Sequence, residues 1–311
     1  MHLVNPITGD QILLPPVTTI EQVSPIFDDA GSIHKYEYAW YTGKDMISDS
    51  PSIFVPSELR DYLFYKAFLS SDPSTGDYFV VLIHNPWSQL SFARAGDDKW
   101  TWLPPHSDYE DCFFEREFLY ASTFSGEIYV FNLGGPALKW KIVLSKMKSY
   151  VYERIYIVQS PSGELLQIWR SGHTLGGDEG DESDSDFQPE LDDDSYVHKT
   201  SSIIVHKVDI SSKKLVKMCS FDEIVLFVGR NQSLCLRAKD YPQLKANHVY
   251  FTDDDCLYIQ WYKNNQRDIG VFDLENNSNE EVVPSPQLWS NCPTPVWLIP
   301  NPRRMNSATH S

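Results

Sequence analysis

Short apolar runs separated by turn residues recur along this chain. Tyr78–Ile83 (YFVVLI) stops at His84-Asn85-Pro86. Gln89–Ala93 (QLSFA) leads through Gly96-Asp97-Asp98 into Lys99–Leu103 (KWTWL). Glu127–Leu133 (EIYVFNL) turns at Gly134-Gly135-Pro136 into Leu138–Leu144 (LKWKIVL). Ile155–Val158 turns through Ser160–Gly163 into Glu164–Trp169. Ser202–Ile210 turns through Ser211–Lys214 into Leu215–Met218. Ile269–Leu274 turns through Glu275–Asn279 into Glu281–Val283. The runs last three to nine residues, are rich in Val, Ile, Tyr, Phe and Trp, and are bounded by Gly, Pro, Asn, Asp and Ser. That combination predicts strands joined as hairpins, and its regular repetition predicts an all-β sandwich, barrel or propeller.

A two-strand element repeats. Its centres are Phe92 with Trp102, Val130 with Trp140, Val205 with Val216 and Val271 with Val282. Successive pairs are 38, 75 and 66 residues apart. Repeats of about 40–50 residues carrying four strands are the mark of a β-propeller blade, which favours a propeller over a sandwich. Four largely complete blades are expected, at Leu59–Pro105, Phe113–Leu144, Tyr152–Phe221 and Glu223–Val283, with partial strands at each end. That makes a propeller of about five or six four-stranded blades. One short helix is expected in Ser57–Leu69, with Ser57 as its N-cap, although Lys66–Leu69 reads equally well as the start of a strand.

The longest blade step holds an insertion, Asp178–Asp194, with ten carboxylates and no basic residue. Such a block repels itself and has nothing to bury, so it is expected as a disordered loop. A calcium site or a tether for a basic partner is the alternative, but the EF-hand pattern is missing. The loop holds more than half of the formal net charge of −17 on the 311-residue chain. The propeller is expected to occupy residues 1–302, and the polar tail 303–311 is expected to fray. The acidic balance speaks against a nucleic-acid or anionic-membrane surface as partner. No apolar run approaches the roughly 20 residues of a membrane span. The first residues lack the basic and apolar regions of a signal peptide. The five cysteines are sparse and fit no zinc spacing, which predicts reduced thiols in an intracellular protein, cytoplasmic or nuclear.

Candidate chemistry is thin. The nucleophile-elbow, P-loop, dinucleotide-binding and HExxH patterns are absent. No two of the nine histidines have ligand spacing. Asp253-Asp254-Asp255 is the best candidate for paired carboxylates around a propeller channel. A turn is the favoured reading, because Asp bonds its own downstream backbone. Trp100, Trp102 and Trp140 fall on strands and are expected in blade packing. Gly96 and Gly229 are expected at turns. No catalytic, cofactor-binding or metal-binding residue is assigned, and no cofactor is expected.

Several segments resemble one known family. They are Asn5–Pro16 (NPITGDQILLPP), Lys66–Pro73 (KAFLSSDP), Val80–Leu103 (VVLIHNPWSQLSFARAGDDKWTWL), Leu226–Asp254 (LFVGRNQSLCLRAKDYPQLKANHVYFTDD), Asp268–Leu274 (DIGVFDL) and Pro295–Pro300 (PVWLIP). Together they are similar to the plant F-box-associated, KIB-type propellers, a family catalogued as a domain of unknown function. The resemblance implies a propeller that presents substrate within a cullin-type ubiquitin ligase, with the F-box docking an adaptor subunit. Nothing helical precedes Asn5, so the F-box and about one blade are expected to be missing, and the adaptor subunit is not expected as a partner of this chain. The resemblance also implies a protein partner, a kinase in some members. The alternatives are a stand-alone binding module or the product of a truncated gene, and, as a third class, a glycan-active propeller enzyme.

Overall fold

The computed structural model describes residues 1–39, 41–42, 45–46, 51–147, 154–175, 197–221, 223–255, 267–280 and 296–298. The expected acidic loop and the tail lie outside these residues, as do Glu281–Val283.

Five main sheets follow one another along the chain. Sheet I has three strands, Val23–Phe27, Ile33–Tyr38 and Ser52–Phe54. Sheet II is an antiparallel meander of Phe64–Leu69, Phe79–His84, Gln89–Arg94 and Thr101–Trp102. Sheet III repeats that order with Tyr109–Glu115, Phe118–Thr123, Ile128–Asn132 and Lys139–Leu144. Sheet IV does so with Arg154–Gln159, Leu165–Leu175, Val197–Asp209 and Lys214–Lys217. Three of the four expected blades thus have their four strands. A small pair, His2–Val4 with Gln11–Leu13, precedes sheet I.

Sheet V departs from the expected meander. Its spatial order is Leu234–Arg237, Ile224–Val228, His248–Phe251, Gly270–Asp273, Ser278–Glu280. The hairpin 224–237 folds back, and the chain then crosses to lay His248–Phe251 parallel to Ile224–Val228, with Val225 opposite His248. A parallel neighbour needs a crossover connection, here the stretch that includes the turn Ala238–Asp240.

The apolar runs are continuous because each inner sheet buries both faces. Side chains alternate across a strand, so Val81 and Ile83 pack toward sheet III with Tyr109, Leu119 and Phe131. Val80 and Leu82 pack the other way, with Tyr38 of sheet I and with Leu59 and Leu63. Sheet III meets sheet IV through Phe113, Ile128 and Val130 against Ile157, Leu165 and Val208. Sheet IV meets sheet V through Tyr156, Leu166 and Ile168 against Leu226, Val249 and Phe272. Sheets stacked face to face in chain order are propeller blades.

The helix forms, but as Pro56–Leu63, and Phe64–Leu69 is a strand. Val55, not Ser57, is the N-cap: Pro56 occupies the first helical position, where its missing N–H costs nothing. The Glu58 carboxylate accepts a hydrogen bond from the Val55 N–H at 3.1 Å. Gly96 and Gly229 sit at positive φ, +84° and +147°. At Gly229 a Cβ would lie 2.0 Å from Thr252 Oγ1, so only glycine fits.

Of the three tryptophans, Trp100 is buried, yet against the N-terminal segment, donating Nε1–H to the Pro15 carbonyl. Trp102 stacks on His106 with ring centroids 3.4 Å apart. Trp140 is 43% exposed, on the outer edge of sheet III opposite the fully buried Phe131. Its placement corrects the expected role in blade packing: the edge strand presents that face to solvent. This cross-strand pair therefore reports burial directly. Phe131→Ala should cost about 3–5 kcal/mol in urea unfolding. Trp140→Ala should cost about 1 kcal/mol, its tilted ring contact with Tyr129 at 5.9 Å.

Candidate functional site

The first strands of sheets II, III and IV bring charged residues to one buried point. Lys66 stands mid-strand in FYKAFL, flanked by Tyr65 and Phe68, and its side chain has no exposed surface. Its Nζ lies 3.5 Å from Asp111 Oδ1 of sheet III and 3.6 Å from Asp254 Oδ2, just after the sheet V strand His248–Phe251. The Tyr156 ring of sheet IV adds a π face, with its centroid 4.9 Å from Nζ. The other Asp111 oxygen accepts from the Ile157 N–H at 3.0 Å and the Ser233 hydroxyl at 2.6 Å.

Arg170 of sheet IV is the second hub. It donates to Thr200 Oγ1 at 2.7 Å, the Thr252 carbonyl at 2.8 Å, Tyr156 Oη at 3.2 Å and Asp268 Oδ2 at 2.7 Å. It also faces Asp254 Oδ1 at 3.5 Å, and its guanidinium carbon lies 4.5 Å from the Phe251 ring centroid. Thr200 closes the triangle by donating to Asp268 Oδ2 at 2.6 Å. Arg154 pairs with Glu110 at 3.4 Å and Asp255 at 3.2 Å, and Arg267 with Asp253 at 3.5 Å. Each of the six carboxylates in the cluster thus faces one of its four cations. Arg230 ties the same region to sheet II, donating to the Phe64 and Tyr65 carbonyls at 3.2 Å.

Two ions 3.5 Å apart attract by about 5 kcal/mol at an effective dielectric near 20. Dehydrating each ion costs several kcal/mol, so the net gain is small while loss of one partner is severe. Burial shows in the titration. It pushes the Asp253 carboxyl up to about 6, against the pull of Arg170 and Arg267. It raises Asp111 against Lys66, and Glu110 against Arg154.

Asp253–Asp255 are thus more than a turn. The local bond is present, with the Asp255 N–H donating to Asp253 Oδ1 at 3.2 Å. The carboxylates nevertheless reach cations on sheets II and IV, in Lys66, Arg154 and Arg170. Sequence reasoning missed Lys66, Glu110, Asp111, Arg154, Arg170, Arg267 and Asp268. Motif residues around Leu226–Asp254 serve this site: Gly229 admits Thr252 and Ser233 holds Asp111. Of the histidines, His198 faces the cluster, where burial lowers its pKa against the pull of Asp255 and Asp268. His84 is fully buried between Ser91 Oγ and the Asn85 carbonyl, both at 2.8 Å, and burial lowers its pKa to about 4. Among the described residues no group of His, Cys, Asp or Glu could hold a metal ion.

Two open clefts flank the hairpin turn between Gln159 and Leu165. One, of about 650 Å³, lies between sheets III and IV. The other, of about 230 Å³, lies between sheets IV and V and includes Pro161, Glu223 and Arg237. Neither is lined by a residue of the buried cluster. No helix among the described residues is long and apolar enough to cross a membrane.

A family model described as KIB1-4 beta-propeller matches residues 1–273. Two proteins of Arabidopsis thaliana are similar in sequence. "Putative F-box protein At5g66830" is 25% identical over 228 residues, 68% of this chain and 53% of that protein. "Putative F-box protein At5g55150" is 22% identical over 302 residues, 96% of this chain and 71% of that protein. The chain thus spans about half the length of the first relative.

The cluster makes two predictions. Arg170→Met, which leaves Asp268 without its cation, should lower the unfolding free energy by about 3–5 kcal/mol in urea titration. The second concerns pH. A carboxyl whose pKa is higher folded than unfolded binds its proton more tightly in the folded state, so its contribution to stability rises as pH falls through 6. His84 and His198, both lowered by burial, act in the opposite sense. The difference between the parent and Asp253→Asn isolates the carboxyl. From pH 7 to pH 5 that difference should shift by about 1 kcal/mol in favour of the parent, read from urea midpoints.

Proposed function

This chain belongs to the KIB1-4 β-propeller family, and from that premise we propose that it is a non-catalytic recognition module that binds a protein partner inside the cell. One observation carries the reading. The clustered carboxylates are each matched to a cation, and they join sheets II, III and IV to the segments that follow His248–Phe251 and precede Gly270–Asp273 of sheet V. Groups used this way are structural, and general acid–base work needs a carboxyl within reach of substrate. What the blades offer to solvent is loops, edges and clefts, the usual place for recognition on a rigid scaffold.

Both curated relatives carry the name of F-box proteins. By that kinship we read the partner as a substrate that such a propeller presents for ubiquitination. The fold alone does not carry this finer step.

Proximity labelling with the full chain in plant cells, followed by reconstitution from purified components, tests the reading. A single partner should co-elute with the chain in size exclusion at micromolar concentration, with no chemical change in either protein. Failure of every labelled candidate to reconstitute, or turnover of a glycan by the purified chain, would overturn it.

A further inference from the structure

The cleft between sheets III and IV has the chemistry of a docking groove. Its volume of about 650 Å³ falls among sites that take a ligand of about 300–1,000 Å³. That is room for a few side chains, not a folded domain. One wall is aromatic: Phe113 and Tyr120 stack at 4.8 Å. The opposite wall is aliphatic, with Val216 52% exposed and Ile210 46% exposed.

Between the walls sits Glu115. Its carboxylate accepts from the Tyr120 hydroxyl at 3.1 Å and from Gln159 Nε2 at 3.2 Å. Among the described residues it forms no ion pair. Two more carboxylates line the cleft, Glu164 and Asp209. The one cation there, Lys207, is taken by Glu164. The cleft therefore holds a surplus of negative charge, with one carboxylate fixed by neutral donors. A carboxylate held in place in this way is organised in advance for a charge-assisted bond to a cation.

We propose that this cleft receives an extended segment of a partner protein that places an arginine or lysine between apolar residues. The cationic head meets Glu115, and the neighbouring apolar side chains cover Tyr120 and Val216. Three carboxylates against one ammonium select a basic segment and repel an acidic one. The proposal rests on the recognition reading above and names its surface and chemistry.

The test uses a random dodecapeptide phage library panned on the immobilised full chain. The enriched sequences are then synthesised with fluorescein and titrated by anisotropy against the parent, Glu115→Lys, Val216→Asp and a distant control, Glu37→Lys. Thermal melts of all four establish that each is folded. The expected result is enrichment of basic–apolar peptides whose affinity falls about tenfold or more with Glu115→Lys and with Val216→Asp, and is unchanged in the control. Binding should also weaken with added salt. Enriched peptides that ignore both cleft variants would overturn this site while leaving recognition elsewhere on the blades intact. Enrichment of acidic peptides, or of none, would also overturn it. Reconstitution with a labelled partner then decides the recognition reading on its own.

Discussion

Charge buried among apolar sheets has to be matched on the spot, and that requirement fixes how these blades meet. Lys66 cannot reach water, so Asp111 and Asp254 must be there. Arg170 requires Asp268, Thr200 and the Thr252 carbonyl in the same way. Apolar contact between sheets is tolerant, since a slide of an ångström still buries the same area. Ion pairs and their hydrogen bonds are directional and short-ranged. The cluster therefore supplies geometric definition that apolar packing alone does not. It also links segments far apart in sequence: Arg170 to Asp254 spans 84 residues and Ser233 to Asp111 spans 122. Sheet V, with its irregular parallel pair, is held to sheets II and III largely through such bonds. An irregular blade gains most from a lock that does not depend on regular strand pairing.

The blades themselves were legible because burial on both faces writes itself into every position of a strand. VVLI at 80–83 has no polar face, and the observed packing toward sheets I and III explains why. Several hairpins were legible for a local reason: glycine marks turns where the backbone adopts positive φ, as at Gly96 and Gly163. The failures are equally physical. Sheet V was read as a plain meander because a parallel crossover leaves the same short apolar runs in sequence. The helix start was misplaced because Ser57 looks like a cap, while Pro56 had already claimed the first helical position. Trp140 was read as core because composition records size and hydrophobicity but not which strand lies at the edge.

The charge cluster was not legible because its members are scattered from Lys66 to Asp268, and each alone reads as an ordinary surface charge. A usable signal was present. Lys66 interrupts FYKAFL, Asp111 interrupts YEDCFF and Arg170 ends LLQIWR, each beside bulky apolar residues. A charge embedded in an apolar run has lost its water unless a partner supplies the field, so three such runs point to a shared meeting place. The aspartate triplet was noticed for its density, and the turn reading took account of backbone chemistry alone. What distinguishes it is supply: Asp253–Asp255 provide three carboxylates to cations that their own neighbourhood lacks.

Separating the lock from the contact surface has a consequence for how such a fold changes over time. Residues of the cluster depend on several blades at once, so a change at one costs most of the fold's margin. The cleft residues depend on little. Among the described residues the Glu115 side chain bonds Tyr120 and Gln159, and Val216 lies on an outer strand open to solvent. Charge and shape at the cleft are therefore free to vary while the blades stay in register. This division also accounts for where the sequence carries recognisable text: Gly229, Ser233 and Asp253–Asp255 belong to the lock, whereas Glu115, Glu164 and Val216 lie outside the motif segments.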